Sequence, residues 1–143
     1  MAKILGIDYG KVITGLSISD EKKIFAFGLE AIPTKNLMKF FSLFFSSETI
    51  EKVIIGLPKK WNNQPEILIE KYIQKFIYKF RIQYPKVLIE RLDERYTSKI
   101  AFHSMIELGL KKKVRRKKTI LNQISAILIL QSYLSQQEKC KKN

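Results

Sequence analysis

The 143-residue sequence contains only one cysteine, one histidine, six glycines and four prolines. The single cysteine, Cys140, cannot form an intrachain disulfide, and its place in a lysine-rich end suits neither a metal cluster nor a buried nucleophile. So little glycine and proline, together with 11% aromatic residues, indicates a globular chain rather than a disordered one. The length is that of one domain with a substantial core.

Long apolar runs are also absent. The longest, Ile127–Leu130 and the stretch Phe40–Phe45, are far too short to cross a bilayer. An acid, Asp8, stands where a signal peptide would need its apolar centre. We therefore expect no membrane association and a cytoplasmic location.

Acidic residues are scarce, with 13 Asp and Glu against 27 Lys and Arg, for a net charge of +14. The excess is uneven: residues 1–72 hold ten basic and eight acidic side chains, a net of +2, whereas residues 73–143 hold seventeen and five, a net of +12. Because lysine and arginine gain affinity by displacing counterions from phosphates, this asymmetry predicts a polyanionic partner. The alternative is a solvated basic surface without a partner.

Hydrophobic periodicity predicts the element order βββ-α-β-α-β-α-α. The predicted strands are Lys3–Asp8, Val12–Ser19, Ile24–Ala31, Lys52–Leu57 and Val87–Leu92, and the predicted helices are Thr34–Ser46, Pro65–Gln83, Thr97 or Ser98 to Gly109, and Thr119–Gln136. Short turns make the first three strands antiparallel, and βα units follow. This predicts an α/β fold with a mixed five-stranded sheet flanked by helices, in the chain order of the ribonuclease H-like fold. We expect one domain at 1–137 and a flexible basic tail at 138–143.

Acidic side chains end two of the predicted strands. Asp8 closes the first strand, and Asp93 and Glu94 follow the last. The carboxyl ends of parallel strands lie at one edge of a sheet, so Asp8 and Glu94 can converge there around a divalent cation, for which oxygen ligands favour Mg²⁺ or Mn²⁺. The alternatives are a turn acid before Gly10 and a surface turn that pairs Asp93 with Arg95.

Basic residues cluster in two predicted loops. Seven of the eight residues just before the last helix are cations: Lys111, Lys112, Lys113, Arg115, Arg116, Lys117 and Lys118. Lys59 and Lys60 precede Trp61 in the loop after the fourth strand. Such segments, and Arg95 in the turn after the last strand, suit phosphate contacts, which position a nucleic acid without reading its sequence. Trp61 can stack on a base or pack over the sheet edge.

Five sequence blocks together resemble the YqgF family, also called RuvX. They are Leu5-Gly-Ile-Asp-Tyr-Gly10, Gly15-Leu-Ser-Ile-Ser-Asp20, Ile54-Ile-Gly-Leu-Pro58, Leu92-Asp-Glu-Arg-Tyr-Thr97 and Ile124-Ser-Ala-Ile-Leu-Ile-Leu-Gln-Ser-Tyr133. The resemblance covers residues 3–134 in the order and spacing of the family. It implies a ribonuclease H-like nuclease that matures the precursor of the small-subunit (16S) ribosomal RNA in ribosome biogenesis.

The resemblance also implies three acidic positions around divalent metal. Asp8 matches the first, and Glu94, with Asp93 beside it, matches the second. Asn122 stands where the family has its third acid, at the start of the last helix. The chain also has Val12-Ile13 where the family tends to have a Lys-Arg pair. An amide keeps one oxygen for a metal but loses the charge, which weakens neutralisation of two metal ions.

Three hypotheses follow. The leading one is a nuclease in which Asp8, Glu94, Asn122 and Asp93 form the catalytic centre with Mg²⁺ or Mn²⁺, acting on the ribosomal RNA precursor, free or in a pre-ribosomal particle. The second is an RNA-binding ribosome-assembly factor on a weakened nuclease scaffold, and DNA junctions remain a variant substrate. The third is a phosphate-binding hairpin, because Asp8-Tyr-Gly10 with Gly15 also resembles that of sugar kinases and actin-like ATPases, but one domain of this size cannot supply their two lobes.

Overall fold

The computed structural model describes residues 2–58, 67–93 and 118–142. Within these ranges there are five strands: β1 (Lys3–Asp8), β2 (Ile13–Ser19), β3 (Ala26–Pro33), β4 (Ile50–Leu57) and β5 (Leu88–Asp93). A 3-10 turn (Thr34–Asn36) leads into helix α1 (Leu37–Ser47), and α2 (Ile67–Gln83) and α3 (Lys118–Lys142) follow. The predicted helix that ends near Gly109 lies outside the described residues.

The five strands form one mixed sheet in the order β3-β2-β1-β4-β5. The pairs β1–β2 and β2–β3 are antiparallel, because turns of a few residues connect them. The pairs β1–β4 and β4–β5 are parallel, since a helix-containing crossover joins parallel strands. Strands β1, β4 and β5 therefore run in one direction and end at the same edge of the sheet, as predicted.

Alternate residues of each strand face two different helical layers. On one face, Leu5 and Ile7 of β1 belong to the buried cluster that includes Phe41 of α1 and Phe80 of α2. On the other face, Ile4 of β1 packs with Leu130 of α3. The sheet is therefore covered on both sides by helices, which explains why the central strands are almost continuously apolar.

Helix α3 lies unusually close to β1 and β2 because small side chains form the surface beneath it. A Cβ atom on Gly6 would collide with Leu130, and one on Gly15 would collide with the backbone of Asn122. Between them the Ser17 hydroxyl donates a buried hydrogen bond of 2.7 Å to the carbonyl oxygen of Ala126. We call Gly6, Gly15 and Ser17 the helix seat.

Several element bounds differ from the sequence-based prediction, and for two of these differences, at β3 and at α3, the structure shows the physical cause. Strand β3 begins at Ala26 rather than Ile24, because Asp20 Oδ1 accepts hydrogen bonds of 2.8 Å from the backbone nitrogens of Ile24 and Phe25 and keeps them in the turn. These bonds, above all the one from Phe25, lower the pKa of Asp20. Strand β3 ends at Pro33 rather than Ala31, because its pairing with β2 continues as far as Ile13.

The end of α3 is the second difference. The prediction that this helix stops near Gln136 was wrong, because it continues to Lys142 through the segment expected to be a tail. Residues 135–140 are exposed, and glutamine, glutamate and lysine favour helix while no glycine or proline interrupts them. Within the described ranges, no helix is both long and apolar enough to cross a membrane.

The helix seat predicts that Gly15→Ala destabilises the fold. The added methyl group would push α3 away from β2, and overpacking of this kind costs about 1–3 kcal/mol. Urea denaturation should show a lower midpoint with an unchanged slope.

Gly28→Ala is the matched control for that substitution. It makes the same change in β3, but its Cβ would meet the mobile end of the Gln123 side chain, which can turn away. Both variants lose the same flexibility of unfolded glycine, so equal midpoints would contradict a close backbone contact at Gly15.

Candidate active site at the carboxyl edge of the sheet

Asp8 lies at the carboxyl end of β1 on the face covered by α3. It pairs with Gly15 of β2, and paired residues of antiparallel strands point to the same face. Gly15 lies under the backbone of Asn122. The half-buried Asp8 side chain therefore projects beside the first turns of α3, from a strand whose position is fixed on both sides.

Asn122 lies in the second turn of α3, above the hairpin that carries Asp8. Its Nδ2 donates a hydrogen bond of 3.2 Å to the carbonyl oxygen of Ile13, the first residue of β2. The structure therefore brings Asp8 and Asn122 to the same edge and the same face of the sheet. It also shows a role that the sequence did not predict, because the Asn122 amide attaches the start of α3 to the start of β2.

Asp93 reaches the same edge but the opposite face. It pairs with Leu57 at the end of β4. The preceding residue, Leu92, packs on the α3 side, and Arg91 contacts α2 on the other side. Strand alternation thus places Asp93 with Arg91, away from the face of Asp8.

Several predicted site residues cannot be compared with the structure. Glu94 and Arg95 lie outside the described residues, as do Lys59, Lys60 and the basic residues Lys111, Lys112, Lys113, Arg115, Arg116 and Lys117. Lys118 begins α3, but its side chain is not among those described. Their roles remain predictions.

Two threonines that the sequence analysis missed hold the turn after Asp8. Thr34 Oγ1 donates a hydrogen bond of 2.6 Å to the Gly10 carbonyl oxygen and lies 2.8 Å from Thr14 Oγ1. The Thr34 backbone nitrogen donates to the Val12 carbonyl oxygen at 2.8 Å. Thr14 is buried, so it could have been recognised only as a polar residue within an apolar strand. Together these bonds fix the chain direction immediately after Asp8.

Arg91 was also missed, although it organises the neighbouring strand ends. Its guanidinium donates to both carboxylate oxygens of Glu70 at 2.8 and 2.7 Å. It also donates to the carbonyl oxygens of Ile55 at 3.3 Å and Gly56 at 3.0 Å. The hydrogen bond from Arg91 lowers the pKa of Glu70 below its ordinary value. Helix α2 is thereby attached to the carboxyl ends of β4 and β5.

The donors at this edge suit a hard cation but do not complete a site by themselves. The Asp8 carboxylate and the Asn122 amide offer oxygen, the ligand that Mg²⁺ and Mn²⁺ prefer. Within 2–58, 67–93 and 118–142, no cluster of three or more His, Cys, Asp or Glu residues could hold a metal.

The fold is ribonuclease H-like, and its similarity to solved structures agrees with this class. The structure of T. thermophilus RuvC in complex with a Holliday junction substrate superimposes with a TM-score of 0.56 at 15% identity, covering 96% of both chains. A second Thermus thermophilus RuvC structure gives 0.53 at 14% identity, again over 96% of each chain. At such identities the likeness establishes the fold alone.

Sequence comparison then gives the family. This chain belongs to the RuvX family, whose model, described as a Holliday junction resolvase, matches residues 2–136. The relative from Flavobacterium psychrophilum is 46% identical and that from Christiangramia forsetii 45%, each covering 94% of this chain and 98% of the relative. The Porphyromonas gingivalis relative is 38% identical over 97% of this chain and all of its own length. All three bear the name "Putative pre-16S rRNA nuclease".

The contact of Asn122 with Ile13 predicts the effect of Asn122→Asp. Without metal the new carboxylate would face a carbonyl oxygen and lose the hydrogen bond, which costs about 1–3 kcal/mol. If the side chain can turn toward an ion shared with Asp8, Mn²⁺ should raise the melting temperature of the variant more than that of the wild type.

Gln123→Glu is the matched control for this measurement. It adds the same charge one residue further along α3, so its interaction with the helix dipole is similar, but it lies above Gly28 of β3. An equal effect of Mn²⁺ on both variants would exclude Asn122 as a metal-facing position.

The lowered pKa of Glu70 predicts a pH-dependent contribution to stability. Since the folded-state pKa is below the ordinary value of 4.5, the ionised form stabilises the fold above that pH, and this is lost as the pH falls through the folded-state pKa. Glu70→Gln should therefore lower the urea midpoint at neutral pH and have much less effect under strongly acidic conditions. Glu21→Gln, in an exposed turn, is the control, and a pH-independent loss in Glu70→Gln would contradict the ion pair.

Proposed function

We propose that this chain is a nuclease that hydrolyses phosphodiester bonds in the precursor of 16S ribosomal RNA, in the cytoplasm, with Mg²⁺ or Mn²⁺. The observation that carries the proposal is the placement of Asp8 and Asn122 on one face at the carboxyl edge of a ribonuclease H-like sheet. The names of the RuvX relatives support the substrate. The partner would be the RNA itself or a pre-ribosomal particle.

We propose Glu94 as the second acid of this site. Glu94 stands in the block Leu92-Asp-Glu-Arg-Tyr-Thr97, which resembles the family block that carries the second acid, and it follows Asp93 at the end of β5 in the sequence. Strands β1 and β5 are separated only by β4, which puts their backbones about 10 Å apart at a strand spacing of about 4.8 Å. Aspartate and glutamate side chains are long enough to share an ion or a pair of ions across such a separation.

The residues of the site would divide the reaction between them. Asp8 would hold the ion from a rigid strand, Glu94 would add the second negative charge, and Asn122 would contribute its amide oxygen. A bound Mg²⁺ or Mn²⁺ supplies an activated water and neutralises charge on the phosphate and the leaving oxygen. No covalent intermediate with the protein is needed.

Asn122 also favours a second candidate function. Its amide already bonds to the Ile13 carbonyl oxygen, and it brings no charge to the site. This suits an RNA-binding ribosome-assembly factor in which the nuclease centre is weakened. The net charge of +14 serves either function, since phosphate contacts do not require cleavage. A DNA junction is the variant substrate that the description of the family suggests.

The first test is Asp8→Asn. Loss of the anchoring carboxylate should slow Mn²⁺-dependent cleavage of 16S precursor RNA by more than about 100-fold. Substituting a residue that only orients a metal ligand typically costs about 10- to 100-fold in activity. RNA affinity should be kept, because the substitution removes a negative charge.

Asp93→Asn is the comparison variant, with the same change at the same edge but on the opposite face. It should keep clearly more activity than Asp8→Asn. Equal cleavage by Asp8→Asn and the wild type would sink the nuclease proposal, whereas RNA binding without any cleavage by the wild type would favour the assembly factor.

A further inference from the structure

A groove lies between α2 and the start of α1, next to the turn that follows Asp8. Its lining includes Tyr9, Lys35 and Met38, together with Tyr72, Lys75 and Lys79 of α2. Its volume is about 250 Å³. Tyr72, Lys75 and Lys79 are at positions i, i+3 and i+7, so they form one face of α2. We call this feature the α2 groove.

The α2 groove is positively charged without compensation from its own lining. Lys35, Lys75 and Lys79 are exposed, and within 2–58, 67–93 and 118–142 no acidic residue lines the groove. The ammonium of Lys11 lies 5.5 Å from the centre of the Tyr72 ring, which brings a fourth cation to its rim. Glu70, the one acid within Ile67–Gln83, is bound to Arg91 and does not offset these lysines.

The position of the groove connects it to the candidate active site. Tyr9 directly follows Asp8, and its ring packs 5.6 Å from that of Phe76, on the α2 side of the sheet. Asp8 faces the α3 side. A polymer whose phosphate lies at Asp8 would therefore meet the α2 groove as soon as it passes over the edge of the sheet.

We propose that the α2 groove binds the phosphate backbone of the single RNA strand that leaves the Asp8 site, an inference that rests on the proposed nuclease function. Lys75 and Lys79 are about 6 Å apart along the helix axis, at about 1.5 Å per residue, so they can contact successive phosphates. A groove that combines cations with aromatic side chains is typical of single-strand binding.

The test compares two triple variants that remove the same charge. The groove variant is Lys35→Gln, Lys75→Gln and Lys79→Gln. The control is Lys22→Gln, Lys86→Gln and Lys139→Gln, at exposed lysines in the β2–β3 turn, before β5 and late in α3. Both are made in full-length Asp8→Asn protein, and the affinity for a short unstructured RNA is measured by fluorescence anisotropy at several KCl concentrations.

The groove variant should lose at least about tenfold in affinity at low salt. Its plot of log affinity against log salt should flatten by about 2, since each single-strand phosphate contact contributes about 0.7. The control should change much less. In a parallel experiment, RNA should protect Lys35, Lys75 and Lys79 from acetylation, detected by mass spectrometry, and leave Lys22, Lys86 and Lys139 reactive.

Different failures identify different errors. Equal losses in both triple variants, or no protection of the groove lysines while the wild type still binds and cleaves RNA, would overturn the groove and leave the nuclease proposal intact. If the groove variant lost affinity for duplex or junction DNA but kept its affinity for the unstructured RNA, the single-strand assignment would be overturned. A wild type that neither binds nor cleaves RNA with Mn²⁺ would overturn the proposed function itself.

Discussion

The close contact of α3 with β1 and β2 is the constraint on which the rest of the structure depends. Gly6 and Gly15 have no side chains to separate the helix from the sheet, and Ser17 adds a hydrogen bond where the Ala126 carbonyl oxygen passes. This contact sets the distance between Asn122 and the β1–β2 hairpin. Since Asp8 is paired with Gly15, the same contact determines how the two candidate ligands stand relative to each other.

Because side chains alternate along each strand, the two faces of the sheet carry different residues at its carboxyl edge. Asp8 faces α3 with Asn122, whereas Tyr9, the next residue, faces α2. At β5 the same division separates Leu92, on the α3 side, from Arg91, which binds Glu70 of α2. One edge thus carries Asp8 and Asn122 on one face and Tyr9 with the lysines of the α2 groove on the other, and the two successive residues Asp8 and Tyr9 connect these faces.

The sequence predicts the sheet well because its order depends on patterns that are local. Apolar runs identify the five strands, and the lengths of their connections separate the antiparallel pairs from the parallel ones. The errors at Ile24 and Gln136 have a different origin. A side chain, Asp20, competes with strand pairing for two backbone nitrogens, and the end of α3 is decided by propensity alone, without packing.

The candidate site is less predictable than the fold. Asp8 and Asn122 could be found from their sequence blocks, but the bond from Asn122 to Ile13 spans 109 positions of the chain and follows no local rule. The Thr14–Thr34 contact, across 20 positions, and the hydrogen bonds of Arg91, across 21 to 36 positions, are also non-local. Each depends on which face a strand residue occupies, and that is settled only when the register of the whole sheet is known.

The helix seat also limits how the β1–β2 hairpin can change in length. Side chains alternate along β2, so inserting or deleting one residue in the turn at residues 9–12 would bring Leu16 beneath α3 in place of Gly15 and Ser17. Helix α3 could then not approach β2 as closely, and a residue with a side chain would replace Gly15 as the partner of Asp8. Viable length changes in this turn are therefore expected in steps of two residues, whereas the exposed last turns of α3 can gain or lose single residues freely.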